Sequence, residues 1–505
     1  MDNMAGVSEI SQFYAGKSIF ITGATGFMGK VLVEKLLRDC GELSRIYILV
    51  RTKRGVDAHQ RRVEYINHMV FDHIRHENPE QLEKIIVVKG DVTIDELDMS
   101  ENDTIELIEN VSLVFHCAAN VRFDLKLKEA VNFNTNGAYR VLKLAEKMKN
   151  LVVFTHVSTA YCQCREDVLE ERFYQANENP YGVMEMVNIL KEDNLAALTP
   201  KLLDGLPNTY AYTKGLTEDL VHSFAGKFPI VIARPSIVTA AWKTPFPGWI
   251  EGMNGPTGLM IGGGKGVIRS MNVNSEYNSE AVPVDININA IIALAYKRSK
   301  MDKNICYFAN LTDSGTNPMK WGESIEMGKQ LFYKYPLTQM LWYPNGSIKS
   351  NYYHHLLCVI FFHYLPAYFI DFLMFAIGQK PFLVNVQKRV SQGLKVLQYY
   401  TTRDWVFKNE NFRKLHEEMS EVDKEKFNCD LKQVVLQEYL QNYILGARQY
   451  LLKESPDTIP AARKLLTKLY VLDCIVTALF YGLVFYFFWT NFDVTANFCS
   501  RIFSF

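Results

Sequence analysis

The chain has 505 residues, which exceeds one ordinary domain and predicts two or three folding units. Its 55 basic residues balance 55 acidic ones, which argues against nucleic-acid binding as its main role. Nine cysteines lack metal-ligand spacing, so we expect reduced thiols and no metal site. Residues 1–12 carry no apolar run of the kind that a secretory signal needs, so we expect a chain that starts in the cytosol.

The first predicted unit is a buried strand that turns directly into a helix, IFITGATGFMG at 19–29. Glycines in the spacing GxxGxxG let backbone N–H groups approach a pyrophosphate, and the positive end of the helix dipole favours that anion. An ordinary tight turn is the alternative, but the position after an apolar strand favours dinucleotide binding. The predicted cofactor contacts at this turn are Thr22, Gly23, Thr25, Gly26, Phe27, Met28 and Gly29.

A second strand, RIYILV at 45–50, ends in a basic stretch that bears on cofactor choice. Sites for NAD usually carry an acidic residue ~20 positions past the glycines, whereas arginine suits the extra phosphate of NADP. Arg51 and Arg54 lie in that region with no acid beside Arg51, so the sequence favours NADPH. A solvated basic turn is the alternative.

Two further strands are predicted to end near the cofactor. After IIVVKG at 85–90, Asp91 and Val92 follow, and the Asp91 carboxylate could accept from an adenine amino group or cap the next segment. The strand SLVFHCAAN at 112–120 ends through Ala118 and Ala119, whose small side chains would let a cofactor lie flat on the strand end.

A reaction centre is predicted where the fifth strand ends in Ser158 and Thr159. About fifty residues later Tyr210 and Lys214 form a YxxxK pair, and a spacing of four puts both on one helical face. A nearby ammonium stabilises phenolate and lowers the pKa of the tyrosine, and a strand-end hydroxyl can hold a carbonyl oxygen within its reach. The sequence therefore predicts hydride delivery to a carbonyl with Tyr210 as the proton donor.

The next segments are predicted to complete the cleft. The strand PIVIAR at 229–234 leads to Pro235 and Ile237, which we expect near the nicotinamide. The glycine- and proline-rich stretch 244–266 is predicted to be a long loop that shapes the substrate site, with a merely mobile loop as the alternative. Asp285 is predicted to cap a helix at 286–300, and 304–310 to be the last strand.

Several long strings resemble those of the fatty acyl-CoA reductases, a family of the extended short-chain dehydrogenase/reductase superfamily. They occur in that family's order and include TGATGFMGK, HCAANVRFD, VSTAYC, NTYAYTKGLTE, ARPSIV and PGWIEGMNGPTGLMIGGGKGV. The resemblance implies a doubly wound parallel sheet of the Rossmann type, followed by a helical C-terminal domain. It also implies reduction of a long-chain acyl-CoA by two NADPH to a primary alcohol, through an aldehyde that is not usually released.

The resemblance assigns roles to the predicted reaction centre. Tyr210 would be the acid, Lys214 its electrostatic partner and a ribose contact, and Thr159 or Ser158 the hydroxyl that positions the carbonyl, with Thr159 preferred. Asn120 departs from the pattern, where threonine is expected. A sterol or sugar-nucleotide dehydrogenase on the same scaffold and a catalytically inactive lipid scaffold are the alternatives.

The remaining chain predicts a membrane-attached helical part. We expect a reductase domain at 13–330, a connector at 331–350, a helical domain at 351–455 and a transmembrane anchor at 469–492. The stretch Cys474–Phe492 is uncharged and long enough to cross a bilayer, and basic residues before it predict a cytosolic catalytic side. The apolar stretch 356–378 contains Pro366 and Asp371, which favours a membrane-surface or substrate-lining helix pair over a span, with a buried helix as the alternative. The flanks leave the endoplasmic reticulum and the peroxisome both open, and they say nothing of oligomeric state.

Overall fold

The computed structural model describes residues 6–51 and 57–491. Strands within these ranges are short, apolar and joined by helices. They are β1 Ser18–Thr22, β2 Arg45–Val50, β3 Ile85–Lys89, β4 Val111–His116, β5 Val153–Val157, β6 Val168–Leu169, β7 Ile230–Pro235, β8 Ile237–Thr239, β9 Ser270–Asn272, β10 Ala281–Pro283, β11 Cys306–Leu311, β12 Ser347–Lys349 and β13 Val406–Phe407.

Seven of these strands form one parallel sheet in the order β11-β7-β5-β4-β1-β2-β3. The chain starts at β1, winds outward through β2 and β3, and then crosses to β4 and onward in the other direction. A doubly wound sheet of this kind binds ligands at the carboxyl ends of the strands, where the order reverses between β1 and β4. The predicted fold class is confirmed.

Helices cover both faces of the sheet and form most of the C-terminal third. Up to the last sheet strand they are α1 Glu9–Tyr14, α2 Phe27–Asp39, α3 Ala58–Ile66, α4 Asp72–Glu77, α5 Glu101–Asn110, α6 Leu127–Ala130, α7 Gly137–Lys147, α8 Pro180–Ile189, α9 Glu192–Leu203, α10 Thr209–His222, α11 Pro256–Gly264 and α12 Val284–Ser299. The later ones are α13 Trp321–Lys334, α14 Tyr352–Val359, α15 Leu365–Ala376, α16 Leu383–Thr401, α17 Glu410–Glu417, α18 Glu421–Lys426, α19 Leu436–Gly446 and α20 Ile459–Thr490.

Alternating strand residues divide the core into two layers. In β1, Ile19 and Ile21 pack on the side of α2 and α12, whereas Phe20 packs on the side of α5, α7 and α10. Successive strand side chains point to opposite faces, and both faces of a parallel sheet are covered by helices, so its strands read as continuous apolar runs. This pattern made the strands visible in the sequence.

Two local expectations were wrong. The stretch 244–266 is not a loop throughout, because α11 occupies Pro256–Gly264. Asp285 is not the N-cap of its helix, since α12 begins at Val284 after the N-cap Pro283. The Asp285 carboxylate instead accepts three backbone N–H groups, at 2.9 Å from Trp242, 2.8 Å from Lys243 and 3.1 Å from Thr244, and so fixes the start of that stretch.

The C-terminal helices pack back onto the sheet domain. Phe412 of α17 and Ile444 of α19 belong to the same buried cluster as Ile19 of β1, and β13 pairs with β6. The described part of the chain therefore shares one core across these segments. The domain boundaries given above stay predictions.

Two apolar helical segments are largely exposed. Tyr352–Ala376 and Pro456–Phe487 are long and apolar enough to cross a membrane, and only 22% and 6% of their most apolar windows are buried. The burial expected of a core helix is absent in both. Asp371 does not need an aqueous partner, because its carboxylate accepts N–H groups of residues 382–384 at the start of α16.

Candidate active site

The glycine turn after β1 requires glycine at two positions. Gly23 has a φ of +75°, and a Cβ there would lie 2.7 Å from the backbone nitrogen of Ala118. A Cβ on Gly29 would lie 2.2 Å from the carbonyl oxygen of Gly23. The turn is therefore packed between β4 and its own helix, at the point where the strand order reverses.

The N-terminus of α2 fits a pyrophosphate. Its N-cap is Gly26, which offers no side-chain cap, so the first-turn N–H groups are not consumed by a side-chain acceptor. Thr25 and Gly26 are exposed at the turn, whereas Met28 is partly buried. The residues present at this turn therefore fit a pyrophosphate group.

Part of the stretch 244–266 covers this turn. The ring of Trp249, fully buried, lies 5.1 Å from that of Phe27, and both carboxylate oxygens of Glu251 accept from the Lys30 ammonium at 2.8 Å. The sequence analysis missed Trp249 and Glu251, because nothing in their spacing shows that they return to α2.

The Thr22 hydroxyl makes its hydrogen bonds inside the protein. Its hydroxyl lies 2.7 Å from Nδ1 of His116, and the Ala118 N–H donates to it at 3.3 Å. Thr22 is fully buried, so it joins β1 to β4 rather than exposing its hydroxyl to the cleft. Burial lowers the pKa of His116 to about 3, and the His116 ring is therefore neutral near pH 7.

The other predicted cofactor residues lie at the same edge of the sheet. Arg51 is exposed just past β2, with its guanidinium 5.7 Å from the ring of Phe133, whereas Arg54 lies outside the described residues. The Asp91 carboxylate accepts the N–H and hydroxyl of Thr93 at 2.9 and 2.8 Å, which is the capping alternative named above.

The flanking residues differ in how open they are. Val92 is buried, and Ala118 and Ala119 are partly buried at the end of β4. Pro235 ends β7 and Ile237 begins β8, so the turn between them lies at the carboxyl edge of the sheet, as the sequence predicts. At Val92, only the backbone is a plausible cofactor contact.

Helix α10 presents the YxxxK pair toward the end of β5. Asn208 caps the helix by accepting the Ala211 N–H at 2.9 Å. Lys214 is buried, and its ammonium donates to the carbonyl oxygen of Val157 at 2.7 Å. Because Val157 is the last residue of β5, this bond fixes the catalytic helix next to the Ser158–Thr159 hydroxyls.

The Thr159 hydroxyl adjoins the Tyr210 phenol. Burial is the largest influence on Tyr210 and raises its pKa, the Cys162 thiol raises it further, and the neighbouring Thr159 hydroxyl opposes this rise. The lowered pKa predicted from Lys214 is therefore wrong, because burial raises the pKa of Tyr210 and Lys214 does not offset it. Tyr210 is protonated near neutral pH.

The Lys214 ammonium loses its proton at a lower pH than an ordinary lysine does. Burial lowers its pKa to about 8, opposed by the negative potential of Glu218 and of the Cys117 and Cys162 sulfurs. Cys117 adjoins the Gly23 turn, so the ammonium and the predicted cofactor cradle lie at one edge of the sheet. Ser158, by contrast, lies beside Cys162, where burial raises the pKa of the thiol well above its usual value and the Ser158 hydroxyl only opposes that rise.

A buried ion pair anchors the far side of α10. Arg234 of β7 and Glu218 of α10 are both fully buried, with Nη2 and Oε2 2.6 Å apart. The remaining Arg234 donors reach the carbonyls of Glu170 and Arg172, each at 3.0 Å. Because Glu218 stands one turn beyond Lys214, the pair fixes the height of the catalytic helix against the sheet.

A buried asparagine that the sequence analysis missed holds the loop after β4. Asn134 accepts the Asn120 N–H at 2.8 Å and donates to the Thr213 hydroxyl at 2.9 Å. It lies in the π-helical segment Val131–Asn136 between α6 and α7, an irregularity often found at functional sites. The asparagine-rich run NFNTN was the available signal. Asn120, the departure noted above, takes part here through its backbone.

Aromatic residues from distant segments close the site. The Phe123 ring lies 5.7 Å from that of Tyr210 and 5.8 Å from that of Tyr400. The Tyr400 hydroxyl accepts from Asn208, the cap of α10, at 3.0 Å. The C-terminal helix α16 therefore contributes directly to the wall around Tyr210.

No cluster of three or more histidine, cysteine or acidic side chains suited to a metal ion occurs in residues 6–51 and 57–491. The polar groups at this edge of the sheet are a phenol, a hydroxyl and an ammonium, beside the glycine turn.

Comparison with known proteins agrees with this arrangement. Two family models described as "Male sterility protein", the first of them NAD-binding, match residues 21–291 and 362–454. "Fatty acyl-CoA reductase 1" of Xenopus laevis is 41% identical over 464 residues, covering 91% of this chain and 90% of that protein, and the Homo sapiens protein of the same name is 39% identical over the same shares. "Fatty acyl-CoA reductase wat" of Drosophila melanogaster is 35% identical, covering 94% and 92%.

Solved structures support the fold. The terminal R domain from the myxalamid PKS-NRPS biosynthetic pathway superposes with a TM-score of 0.59 at 19% identity, covering 88% of this chain and 93% of that one. The reductase domain of a nonribosomal peptide synthetase from Mycobacterium tuberculosis gives a TM-score of 0.55 at 16% identity, with coverage of 86% and 92%. At these identities the likeness concerns the fold alone.

Proposed function

The chain is an oxidoreductase that belongs to the fatty acyl-CoA reductase family, and from this premise we propose that it reduces long-chain acyl-CoA to the primary alcohol with NADPH. The observation that carries the proposal is the hydrogen bond of buried Lys214 to Val157 at the end of β5, which brings α10 with Tyr210 beside the Thr159 hydroxyl. These groups stand at the sheet edge that also holds the glycine turn. A nicotinamide cofactor agrees with the matched NAD-binding family.

In the proposed reaction the thioester oxygen accepts hydrogen bonds from Tyr210 and Thr159, which polarise the carbonyl. Bound NADPH supplies a hydride to the carbonyl carbon. Tyr210 then protonates or holds the resulting oxyanion, giving a hemithioacetal that loses the CoA thiol to leave the aldehyde. As the C–S bond breaks, the hemithioacetal hydroxyl returns its proton to the Tyr210 phenolate, and the departing CoA thiolate takes a proton from water. The same two groups then hold the aldehyde oxygen during a second reduction, in which Tyr210 again supplies the proton of the alcohol.

The residues that would hold the cofactor are those of the glycine turn and its neighbours. The N–H groups at the start of α2 suit the pyrophosphate, and Lys214 suits a ribose hydroxyl. Arg51, exposed and free of any acidic neighbour in the sequence, supports preference for the extra phosphate of NADPH, with Arg54 as a second cation.

The membrane attachment is part of the same proposal. Helix α20 supports an anchor in the membrane of the endoplasmic reticulum or the peroxisome, with the catalytic domain in the cytosol. Basic residues Arg463, Lys464 and Lys468 before its apolar part support that orientation. Acyl chains and fatty alcohols partition into bilayers, so an anchored enzyme meets its substrate and product there.

The test is turnover by the purified full chain in lipid vesicles. NADPH and a panel of acyl-CoAs are supplied, and alcohol, aldehyde, oxidised cofactor and free thiol are measured together. We expect about two NADPH oxidised per thiol released, because reduction of the thioester and reduction of the aldehyde each consume one hydride. One NADPH per thiol would indicate an aldehyde-forming enzyme, and no turnover of any acyl-CoA would overturn the proposal.

A further inference from the structure

An apolar chamber lies apart from the cofactor cradle, between the sheet domain and the C-terminal helices. Its volume is about 160 Å³, and its walls come from α11, α13 and α19. The side chains that enclose it are mainly apolar and include Leu259, Met260, Ile325, Phe332, Leu440 and Ile444. No residue of the proposed reaction centre lines it.

The hydroxyl groups at the chamber wall are mostly engaged with the protein. The Tyr439 hydroxyl donates to the Thr239 hydroxyl at 2.7 Å, and the Tyr443 hydroxyl pairs with that of Thr257 at 2.6 Å. The Ser279 hydroxyl donates to a backbone carbonyl at 2.8 Å. The two tyrosine hydroxyls are therefore already paired within the protein, which suits an alkyl chain better than a polar ligand.

One end of the chamber approaches the reaction centre. Thr239 lines it and is the last residue of β8, whereas Ile237, the first, packs in the aromatic cluster that holds Tyr161 and Tyr400. Two residues of strand span about 7 Å. A chain that leaves the carbonyl site past Ile237 therefore meets the chamber within a few methylene groups.

The opposite wall adjoins an exposed apolar helix. Ser270 of β9 and Ile348 of β12 line the chamber, and these two strands carry α14 on their other side. The Ser270 hydroxyl lies 2.8 Å from Nδ1 of His355, and Nε2 of His363 accepts the Ser270 N–H at 3.2 Å. The chamber is thus enclosed between the reaction centre and the apolar segment 352–376.

We propose that this chamber holds the acyl chain of the substrate and that Gly263 and Gly328 set the length it accepts. This inference rests on the proposed function and adds to it the site of the acyl chain and the residues that limit the length of that chain. Each methylene group moved from water into an apolar wall strengthens binding about fourfold, so a filled chamber discriminates strongly between neighbouring chain lengths.

At Gly263 and Gly328 the chamber wall leaves room for a side chain. A Cβ built on Gly263 or Gly328 meets no atom within 4 Å, although both residues line the chamber. Gly264 differs, because its Cβ would lie 2.5 Å from the Phe332 ring, so glycine there is needed for packing. Side chains at 263 and 328 would take volume from the ligand and not from the protein.

The substitution Gly328→Leu tests the proposal in the full chain. We expect the preferred acyl-CoA to become shorter, with kcat/KM for the longest substrates reduced about tenfold, as the loss of two buried methylenes predicts. Gly393→Leu is the matched control, because Gly393 also lies on a helix with no atom within 4 Å of its Cβ but does not line the chamber. An unchanged chain-length profile in folded Gly328→Leu would overturn the inference.

A binding measurement separates this inference from the proposed function. Trp321 lines the chamber, so an acyl-CoA brominated along its chain should quench part of the protein's tryptophan fluorescence. We expect Trp321→Phe to remove that quenching, and Gly328→Leu to weaken it for long chains. Quenching without turnover would contradict the proposed reaction and support the chamber as the acyl-chain site. Turnover with quenching unaffected by Trp321→Phe would contradict the chamber as the acyl-chain site and support the reaction.

Discussion

Helices α10 and α20 both depart from the usual distribution of side chains, because α10 buries polar residues and α20 exposes apolar ones. In α10 the polar residues Thr213, Lys214 and Glu218 are buried, and each has a hydrogen-bond partner. In α20 the apolar residues Leu479 and Trp489 are 62% and 72% exposed. Burying polar groups costs free energy unless hydrogen-bond partners compensate that cost. Exposing a continuous apolar face to water is also unfavourable. The first helix is therefore the one to which we assign the proposed chemistry, and the second is the candidate membrane span.

The largest effect is expected where α10 meets the substrate. Tyr210→Phe removes the proposed proton donor and leaves the ring that packs on Phe123. We expect kcat/KM to fall about 100- to 10,000-fold, the usual contribution of general acid catalysis, with little change in thermal stability. Turnover of acyl-CoA and a melting curve on the same preparation measure both.

Tyr212→Phe is the control for that substitution. Tyr212 lies on the same helix but packs in the cluster around Val131 and Leu216, away from Thr159. We expect nearly full activity. If both variants lost activity equally, the helix and not the Tyr210 hydroxyl would be responsible.

The buried pair behind the site tests how firmly α10 is held. Glu218→Gln leaves the Arg234 guanidinium buried without its anion, and breaking such a pair costs ~3–5 kcal/mol. We expect a lower free energy of unfolding in denaturant titrations of the full chain in detergent. Glu106→Gln, which breaks the exposed pair with Arg45, serves as a control and should change stability by less than ~1 kcal/mol. Equal effects of the two substitutions would contradict the anchoring role.

The exposed face of α20 is tested by placing a charge on it. Leu479→Lys puts an ammonium in the middle of the apolar stretch, which costs ~2.5–3.5 kcal/mol at the centre of a bilayer. We expect a lower fraction of chain bound to vesicles in flotation experiments, with turnover of short, soluble acyl-CoA retained. Thr467→Lys, on the same helix before the apolar stretch, should bind vesicles like the unaltered chain. Undiminished binding of Leu479→Lys would show that α20 does not enter the bilayer.

The contrast between the two helices also explains what the sequence could reveal. The sheet strands were predictable because parallel strands are apolar on both faces, and β2 was placed residue for residue at 45–50. The residues Tyr210, Lys214 and Thr159 were visible because helix spacing and a strand end are local properties. The exposure of α20 was predictable from its length and apolar composition alone.

Features built from distant segments were not predictable. Tyr400 reaches the cap of α10 from 192 residues away, and the chamber combines segments near 260, 325 and 440. Only the packing of α16 and α19 on the sheet domain brings them together, and no local pattern encodes that packing. The side-chain pairing of Thr22 was not predictable for the same reason, since its partner His116 lies on another strand.

A smaller effect is expected at the cofactor phosphate. Arg51→Ala removes an exposed cation, and a hydrogen bond to a charged group contributes ~1.5–3 kcal/mol. We expect KM for NADPH to rise about 10- to 100-fold and KM for NADH to change little. Arg45→Ala, at the opposite end of β2, should leave both unchanged. A parallel rise for both cofactors would contradict contact with the extra phosphate.

The smallest effect is a pH dependence that originates in α10. Burial lowers the pKa of Lys214 to about 8, so its ammonium is present below that pH and is lost as the pH rises through it. Because the ammonium is the form proposed to act, kcat/KM should be level below pH 8 and fall about tenfold for each further pH unit. Lys214→Arg keeps the positive charge at every accessible pH, so its alkaline limb should move upward even if its maximal rate is lower. An alkaline limb that stays in place in Lys214→Arg would assign the ionisation to another group and remove Lys214 from the proposed electrostatic role.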